Sequence, residues 1–377
     1  MFWRLRQRVS RFCKDFVALP GELWEHGRAA RKASGKSLLS QAIEMIALRW
    51  GKGRLAPYEY YEYCLFDDRR FSPGQKRAFL GRHMTYDLWE LFDSHFWHAI
   101  ANDKLVAYGL FDALQLPSPK LHALFHPIRR HGPLTAVRDG MQLGQFLREQ
   151  ALFPLVAKPV LGMWGKNVYA IERLERESDE LVLTNGQRMA VTDFVVALEP
   201  LAKQGWIFQE LLKPHPLLLE LCGSRICSVR VVTLLDPEPI VISTLWKVAV
   251  GNAMADNYWE PGNLVGPIDP ETGVVGRLFT GLGLQRRNVS EHPDTGKRLV
   301  GITLPDWEQV LELCREGTAS LPGLKMQAWD IALTDQGPVM LEVNIIGGVR
   351  LPQLVVDAGM NRGPLREMLR KYGYMPS

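Results

Sequence analysis

Asp330 and Glu342 stand on the two arms of a run from Met326 to Asn344 that reads as a β-hairpin. Apolar residues alternate on both arms, Trp329, Ile331 and Leu333, then Val339, Leu341 and Val343, and are expected to face the core. Between the arms, Asp335-Gln336-Gly337 fits a three-residue loop with glycine in the left-handed position. With Thr334 paired to Pro338, counting back sets Asp330 directly opposite Glu342, where Cβ atoms approach to about 4.5–5.5 Å. Asn344 shares their face. Two unpaired carboxylates would repel, so the arrangement calls for a cation. Magnesium takes hard oxygen ligands and completes its shell with water and substrate phosphates, which suits two carboxylates and an asparagine. The alternative is a solvated strand face with one acid paired to an arginine.

A second set of residues suits an anionic ligand. Phe153–Val160 reads as a buried strand carrying Lys158 near its end, and Gly162 and Gly165 follow in the loop before a second strand, Asn167–Ile171. Such glycines let backbone N–H groups approach phosphate oxygens, and a strand lysine adds a point charge. An ordinary turn and a lysine reaching solvent remain open as the plain reading. Trp206–Leu212 reads as a strand ending in Glu210, which could accept from an adenine amino group. Arg230 projects from an apolar strand between Val229 and Val231 and needs an anion, either a protein carboxylate or a ligand phosphate.

The elements that position these residues change character along the chain. Residues 1–19 read as an amphipathic helix, with Phe2, Leu5, Val9, Phe12 and Phe16 at three- and four-residue steps and arginines between them. It suits either a peripheral contact with anionic lipid or packing on the protein itself or a partner subunit. Residues 37–100 are expected to be helical and aromatic-rich, and Asp103 caps a helix that runs towards Leu116-Pro117. From about residue 150, short β-rich runs dominate, with one helix at 305–320 before the last hairpin. Of 377 residues, 46% are hydrophobic and 23% charged, as expected of a globular chain with a sizeable core. The net charge of +4 is uneven: residues 1–36 carry nine Lys/Arg against three Asp/Glu. The body therefore lacks the basic character of a nucleic-acid enzyme. Five cysteines without a Cys-x-x-Cys pair, no membrane-length apolar run and no secretory h-region after Met1 suggest a reducing cytoplasm, with contact at the inner membrane face left to residues 1–19.

In their order (strand lysine, glycine loop, adenine-side glutamate, arginine strand, Asp…Glu-x-Asn) these pieces resemble the ATP-grasp superfamily. Asn102-Asp-Lys104, Ser228–Thr233, His292–Gly296 and Trp329–Gly337 narrow the resemblance to its sugar-transfer-associated, glutamate-ligase-related group, over about residues 100–355. The resemblance implies an α+β fold in which two α+β lobes clasp ATP, preceded by a mostly helical region. The expected units are 1–36 (basic helix and linker), 37–150 (helical pre-grasp region), 151–220 (small lid) and 221–377 (large lobe with the magnesium site). It implies Lys158 on phosphate, with Lys104 as a second candidate. Glu210, Leu211 and Leu212 would surround adenine, and Asp330, Glu342 and Asn344 would hold one or two Mg2+ ions. Arg230 and Lys247 would neutralise the transferred phosphoryl group. Lys247 stands where many relatives carry arginine. His292 and Asp294 are candidates for substrate contact, or a Pro-Asp-Thr-Gly turn beside an exposed histidine. The implied reaction is ATP-dependent activation of a carboxylate for attack by an amine, on a small molecule or a cell-surface glycan precursor. A kinase on the same fold and a non-catalytic nucleotide-binding scaffold are the alternatives. The oligomeric state is not legible.

Overall fold

The computed structural model describes residues 20–374, apart from 93–94, 163–166, 252, 254–255 and 346–347. The expected helix at 1–19 and the loop glycine Gly165 lie outside the described residues. Among the described residues, seven α-helices come first: α1 (Pro20–Ser34), α2 (Leu38–Trp50), α3 (Pro57–Glu62), α4 (Pro73–Arg77), α5 (Arg82–Phe92), α6 (His98–Asn102) and α7 (Lys104–Ala113). Polar caps set their starts. The Ser37 hydroxyl accepts from the Ser40 N–H, and Asp103 accepts from the N–H groups of Leu105 and Val106, satisfying donors that the first helical turn leaves orphaned.

The first sheet contains β1 (Leu121–Phe125), β2 (Thr135–Val137), β3 (Leu155–Pro159), β4 (Tyr169–Glu175), β5 (Glu180–Leu183), β6 (Arg188–Ala190) and β7 (Trp206–Glu210), in the order β2-β1-β7-β3-β4-β5-β6. Helices α8 (Gly140–Glu149) and α9 (Val191–Leu198) bury Phe146, Leu147 and Phe194 against it. The sheet thus begins inside the region expected to be helical up to residue 150. Five-residue and three-residue strands are too short for periodicity to distinguish from helix, and β1 exists because β7 pairs with it from eighty residues away.

After α10 (Pro216–Cys222), the second sheet contains β8 (Val229–Leu235), β9 (Pro239–Val248), β10 (Leu264–Pro267), β11 (Leu278–Thr280), β12 (Arg287–Val289), β13 (Met326–Thr334) and β14 (Gly337–Ile345), in the order β12-β11-β10-β9-β8-β13-β14. Helix α11 (Trp307–Ser320) packs on one face with α7 and α10, burying Val229, Val231, Trp246, Trp329 and Ile331. The other face receives α3, α5, α12 (Arg350–Val356) and α13 (Gly363–Lys371), against Leu245, Val265, Phe279, Leu234, Met326 and Ala328. The aromatic N-terminal region is therefore a cover for the large sheet. Tyr60, Tyr61, Tyr63 and Phe79 share one cluster with Leu245 and Phe279.

The closing hairpin differs from its expected geometry in an instructive way. Thr334 pairs with Gly337 and Leu333 with Pro338, so the loop is only Asp335-Gln336, although Gly337 does hold φ at +101°. A β-bulge between Asp330 and Ile331 then absorbs one residue of β14, and Asp330 still faces Glu342. The shorter turn changes which side chains face the core. Pro338, Met340 and Val343 are buried, whereas Val339 and Leu341, expected inside, are half-buried. Without the bulge, the two-residue turn would send Glu342 to the core side.

Candidate active site

Three adjacent strands of the large sheet present a row of charge. Glu342 on β14 faces Asp330 on β13, which faces Arg230 on β8. The flanking residues Val229, Val231, Trp329 and Ile331 point to the opposite face and are buried, as period-two alternation requires. The Arg230 guanidinium forks onto the Asp330 carboxylate, with Nε at 2.7 Å and Nη2 at 2.6 Å. Lys247, on β9, donates to the same carboxylate at 3.1 Å and lies 3.4 Å from Asp256. The arginine in the apolar strand thus finds a protein carboxylate.

Asp330 is almost wholly buried. Burial pushes its pKa up, but the charges of Arg230 and Lys247 overcome this and hold it far below the usual carboxylate range. Burial pulls Arg230 and Lys247 down, and the carboxylates beside them more than restore both. Asp330 is therefore ionised and already engaged by two cations. Asn344 donates its amide to Glu342 Oε1 at 3.2 Å.

Two lysines from outside the second sheet also interact with Glu342. Lys158, near the end of β3, donates to the Tyr108 hydroxyl at 2.7 Å, and that hydroxyl donates to the Leu341 carbonyl on β14 at 2.8 Å. Lys104, at the first position of α7, donates to the Gly162 carbonyl at 2.5 Å. Burial lowers the pKa of both lysines, Glu342 opposing in each case, and Lys104 adds to the effect on Lys158, which falls to about 7. Four cations, Lys104, Lys158, Arg230 and Lys247, so converge on Asp330, Glu342 and Asp256. Lys104 and Lys158 both rest on neutral oxygens.

Two members of this cluster are absent from the sequence reading. Tyr108 lies four residues after Lys104 and hence on the same helix face, a spacing that could have disclosed it. Asp256, which also accepts the Ser228 N–H at 2.6 Å, lies in a short mixed stretch, residues 251–257, with no periodic signal.

The expected adenine segment lies at the joint between the sheets. Glu210 ends β7 opposite Leu155, with one carboxylate oxygen taken by the Lys120 N–H at 2.8 Å. Leu211 donates its N–H to the Pro154 carbonyl at 3.3 Å, and Leu212 is half-buried. Just beyond, Asp335 donates its N–H to the Lys213 carbonyl, fastening the joint to the hairpin tip.

His292 and Asp294 join a different set of contacts. The histidine is buried, not exposed, because its ring closes its own turn. Nε2 meets the Ala249 carbonyl at 3.1 Å, and Nδ1 accepts the Asp294 N–H at 3.2 Å. Asp294 accepts the Gly251 N–H at 2.8 Å and pairs with Arg225. Among the described residues, these contacts lie apart from the cluster around Asp330. Among the described residues, no group of three His, Cys, Asp or Glu is placed to hold a metal ion. The oxygen-rich end of the cluster is two carboxylates and the Asn344 amide.

Two sheets are joined at a short segment, and Lys158 of β3 and Lys104 of α7 face the acidic pair on the last hairpin of the second sheet, the arrangement of an ATP-grasp protein. The model of one family, described as sugar-transfer associated ATP-grasp, matches residues 87–367. The chain belongs to that family. No curated protein matches it. Among solved structures it is similar to D-alanyl-alanine synthetase A from Vibrio cholerae O1 biovar eltor (11% identity, 77% of this chain and 71% of that one, TM-score 0.42). It is also similar to the VanG D-Ala:D-Ser ligase from Enterococcus faecalis (14%, 76% and 65%, TM-score 0.41). A third is the N5-carboxyaminoimidazole ribonucleotide synthetase from Thermotoga maritima (14%, 70% and 48%, TM-score 0.35). The chain spans about half the length of the first structures it matches.

Proposed function

We propose that this protein is an ATP- and magnesium-dependent ligase that activates a carboxylate as an acyl phosphate for attack by an amine or similar nucleophile. The observation that carries this reading is the convergence of Lys104, Lys158, Arg230 and Lys247 on the Asp330–Glu342 pair. A polyanion is the ligand such an excess of cations suits, and two carboxylates beside an asparagine amide suit a hard divalent ion. Glu342 and Asn344 would hold magnesium, with Asp330 shared between the ion and its two cations. Bound there, magnesium would supply charge neutralisation on the phosphates.

The roles of the chain's own residues follow from their positions. Lys104 and Lys158 would leave their neutral acceptors for phosphate oxygens, and Glu210 to Leu212 would border the adenine. Arg230 and Lys247, fixed by Asp330, would face the developing charge as a substrate carboxylate oxygen bonds to the γ-phosphorus and ADP departs. The nucleophile then bonds to the acyl carbon, phosphate leaves, and the amine gives up a proton. No protein nucleophile is needed, so positioning and fixed charge supply the catalysis. A carboxylate or amine on a cell-surface glycan precursor is the substrate class in keeping with the family.

The test is an ADP-release screen across carboxylates and amines, with and without EDTA, followed by product mass. Release of ADP and free phosphate with a condensed product supports the ligase. Phosphate retained on the product would replace it with a kinase, and ATP binding without turnover across the panel would replace it with a scaffold.

A further inference from the structure

Helix α2 turns Gln41 and Leu48 inward and presents Leu39, Ser40, Ile43, Ile46, Ala47 and Trp50 outward. Leu39 is 72% exposed, Ile43 60%, Ile46 46% and Trp50 58%. Spaced by four and three residues, they form one ridge about 17 Å long. The outer face of a surface helix is ordinarily its charged face. Here the acid of α2, Glu44, is turned inward to Lys36 at 2.6 Å and Lys76 at 2.8 Å, so the ridge bears no charge.

Cations flank it. His26 of α1 stacks on Tyr61 of α3 with ring centroids 5.7 Å apart, which sets that flank of α1 against α3. At about 100° per residue, Trp24, Arg28 and Arg31 stand on the opposite flank. Trp24 is 59% exposed, and Arg28, Arg31, Lys32 and, just past α2, Lys52 are exposed as well. The exposed acids of α1, Glu22 and Glu25, both lie in its first two turns.

We propose that the α2 ridge and the basic flank of α1 form a docking face for an anionic lipid bilayer, with α2 lying in the headgroup plane. An uncharged apolar ridge ending in Trp50, with exposed Trp24 and cations on the neighbouring helix, matches the layering of such a surface, acyl chains below and negative headgroups around. A second copy of the chain related by a two-fold axis would instead set these cations against their own counterparts. Among the described residues no helix is long and apolar enough to cross a membrane, so the contact is peripheral. The face adjoins Pro20, where the Phe- and Arg-rich stretch of residues 1–19 ends.

The test is co-sedimentation of the full chain with phosphatidylcholine vesicles containing phosphatidylglycerol, against phosphatidylcholine alone. The wild type should pellet only with the anionic vesicles. Ile43→Asp/Ile46→Asp should lose at least about tenfold in partitioning with its melting temperature retained, and Arg28→Glu/Arg31→Glu should lose a similar factor at low salt. The proposal is overturned if the wild type does not bind, or if Ile43→Asp/Ile46→Asp binds equally, which would move the contact to another surface such as residues 1–19. It is also overturned if sedimentation equilibrium shows a dimer that Ile43→Asp/Ile46→Asp dissolves.

Discussion

Lys158 carries a consequence for pH. With its pKa lowered to about 7 by burial and by Lys104, the side chain is largely neutral at pH 8. A polyphosphate placed beside it favours the charged form, so binding should draw in a proton. Calorimetric titration with ATP at pH 8, in buffers of different ionisation enthalpy, should show uptake approaching one proton, and Lys158→Met should lose it. The stability of the ligand-free protein moves with the same group. The unfolded chain keeps this lysine charged up to about 10.4. The burial penalty is therefore fully present below pH 7 and relieved as pH rises from 7 towards that value. Urea denaturation across this window should show a gain in wild type that Lys158→Met lacks. Glu342 makes the complementary prediction. Glu342→Gln removes one charge from the proposed metal site on a half-buried polar face, so magnesium-dependent turnover should fall by about 100-fold or more. The unfolding midpoint should change little, and unchanged turnover would remove Glu342 from the metal site.

At the scale of elements, the site rests on the hairpin and on α11 beneath it. A Cβ on Gly317 of α11 would stand 2.7 Å from Met340 and 2.8 Å from Trp329, the neighbour of Asp330. Alanine in a helix interior ordinarily stabilises relative to glycine by about 0.5–1 kcal/mol. Gly317→Ala should instead destabilise by about 1–3 kcal/mol through overpacking, measured as a lowered urea midpoint. A stabilised variant would mean that Trp329 has room to move. The same hairpin shows what sequence can and cannot disclose. Counting back from an expected three-residue turn placed Asp330 opposite Glu342, and the pair does face each other. The two-residue turn and the bulge were not legible, since each displaces the register by one and their effects cancel at the acidic pair. Strands β1 and β2, and β10 to β12, were missed for a related reason: runs of three to five residues acquire strand character only from distant partners. The long runs of β8, β9 and β13 carried their own signal.

For the whole molecule, the N-terminal helices are part of the large lobe's packing. Tyr60, Tyr63 and Phe79 cover Leu245, Val265 and Phe279, and Gln353 on α12 accepts the Leu80 N–H at 2.7 Å. A fragment beginning at His98 would uncover one face of the second sheet. It should bind 1-anilinonaphthalene-8-sulfonate and unfold without a cooperative transition, whereas an independently stable lobe would melt sharply. The family motifs gave no hint of this dependence, because a cover is specified by apolar area and not by a motif. All nine residues of β13 are buried, with β8 on one side, β14 on the other and packed helices on both faces. Its amides should be among the last to exchange with solvent deuterium. Asp330 is thus mounted on an element that hardly breathes, while Lys104 and Lys158 stand on other elements, beside Glu342. That part of the charge pattern is a fixed reference, set by the sheet itself.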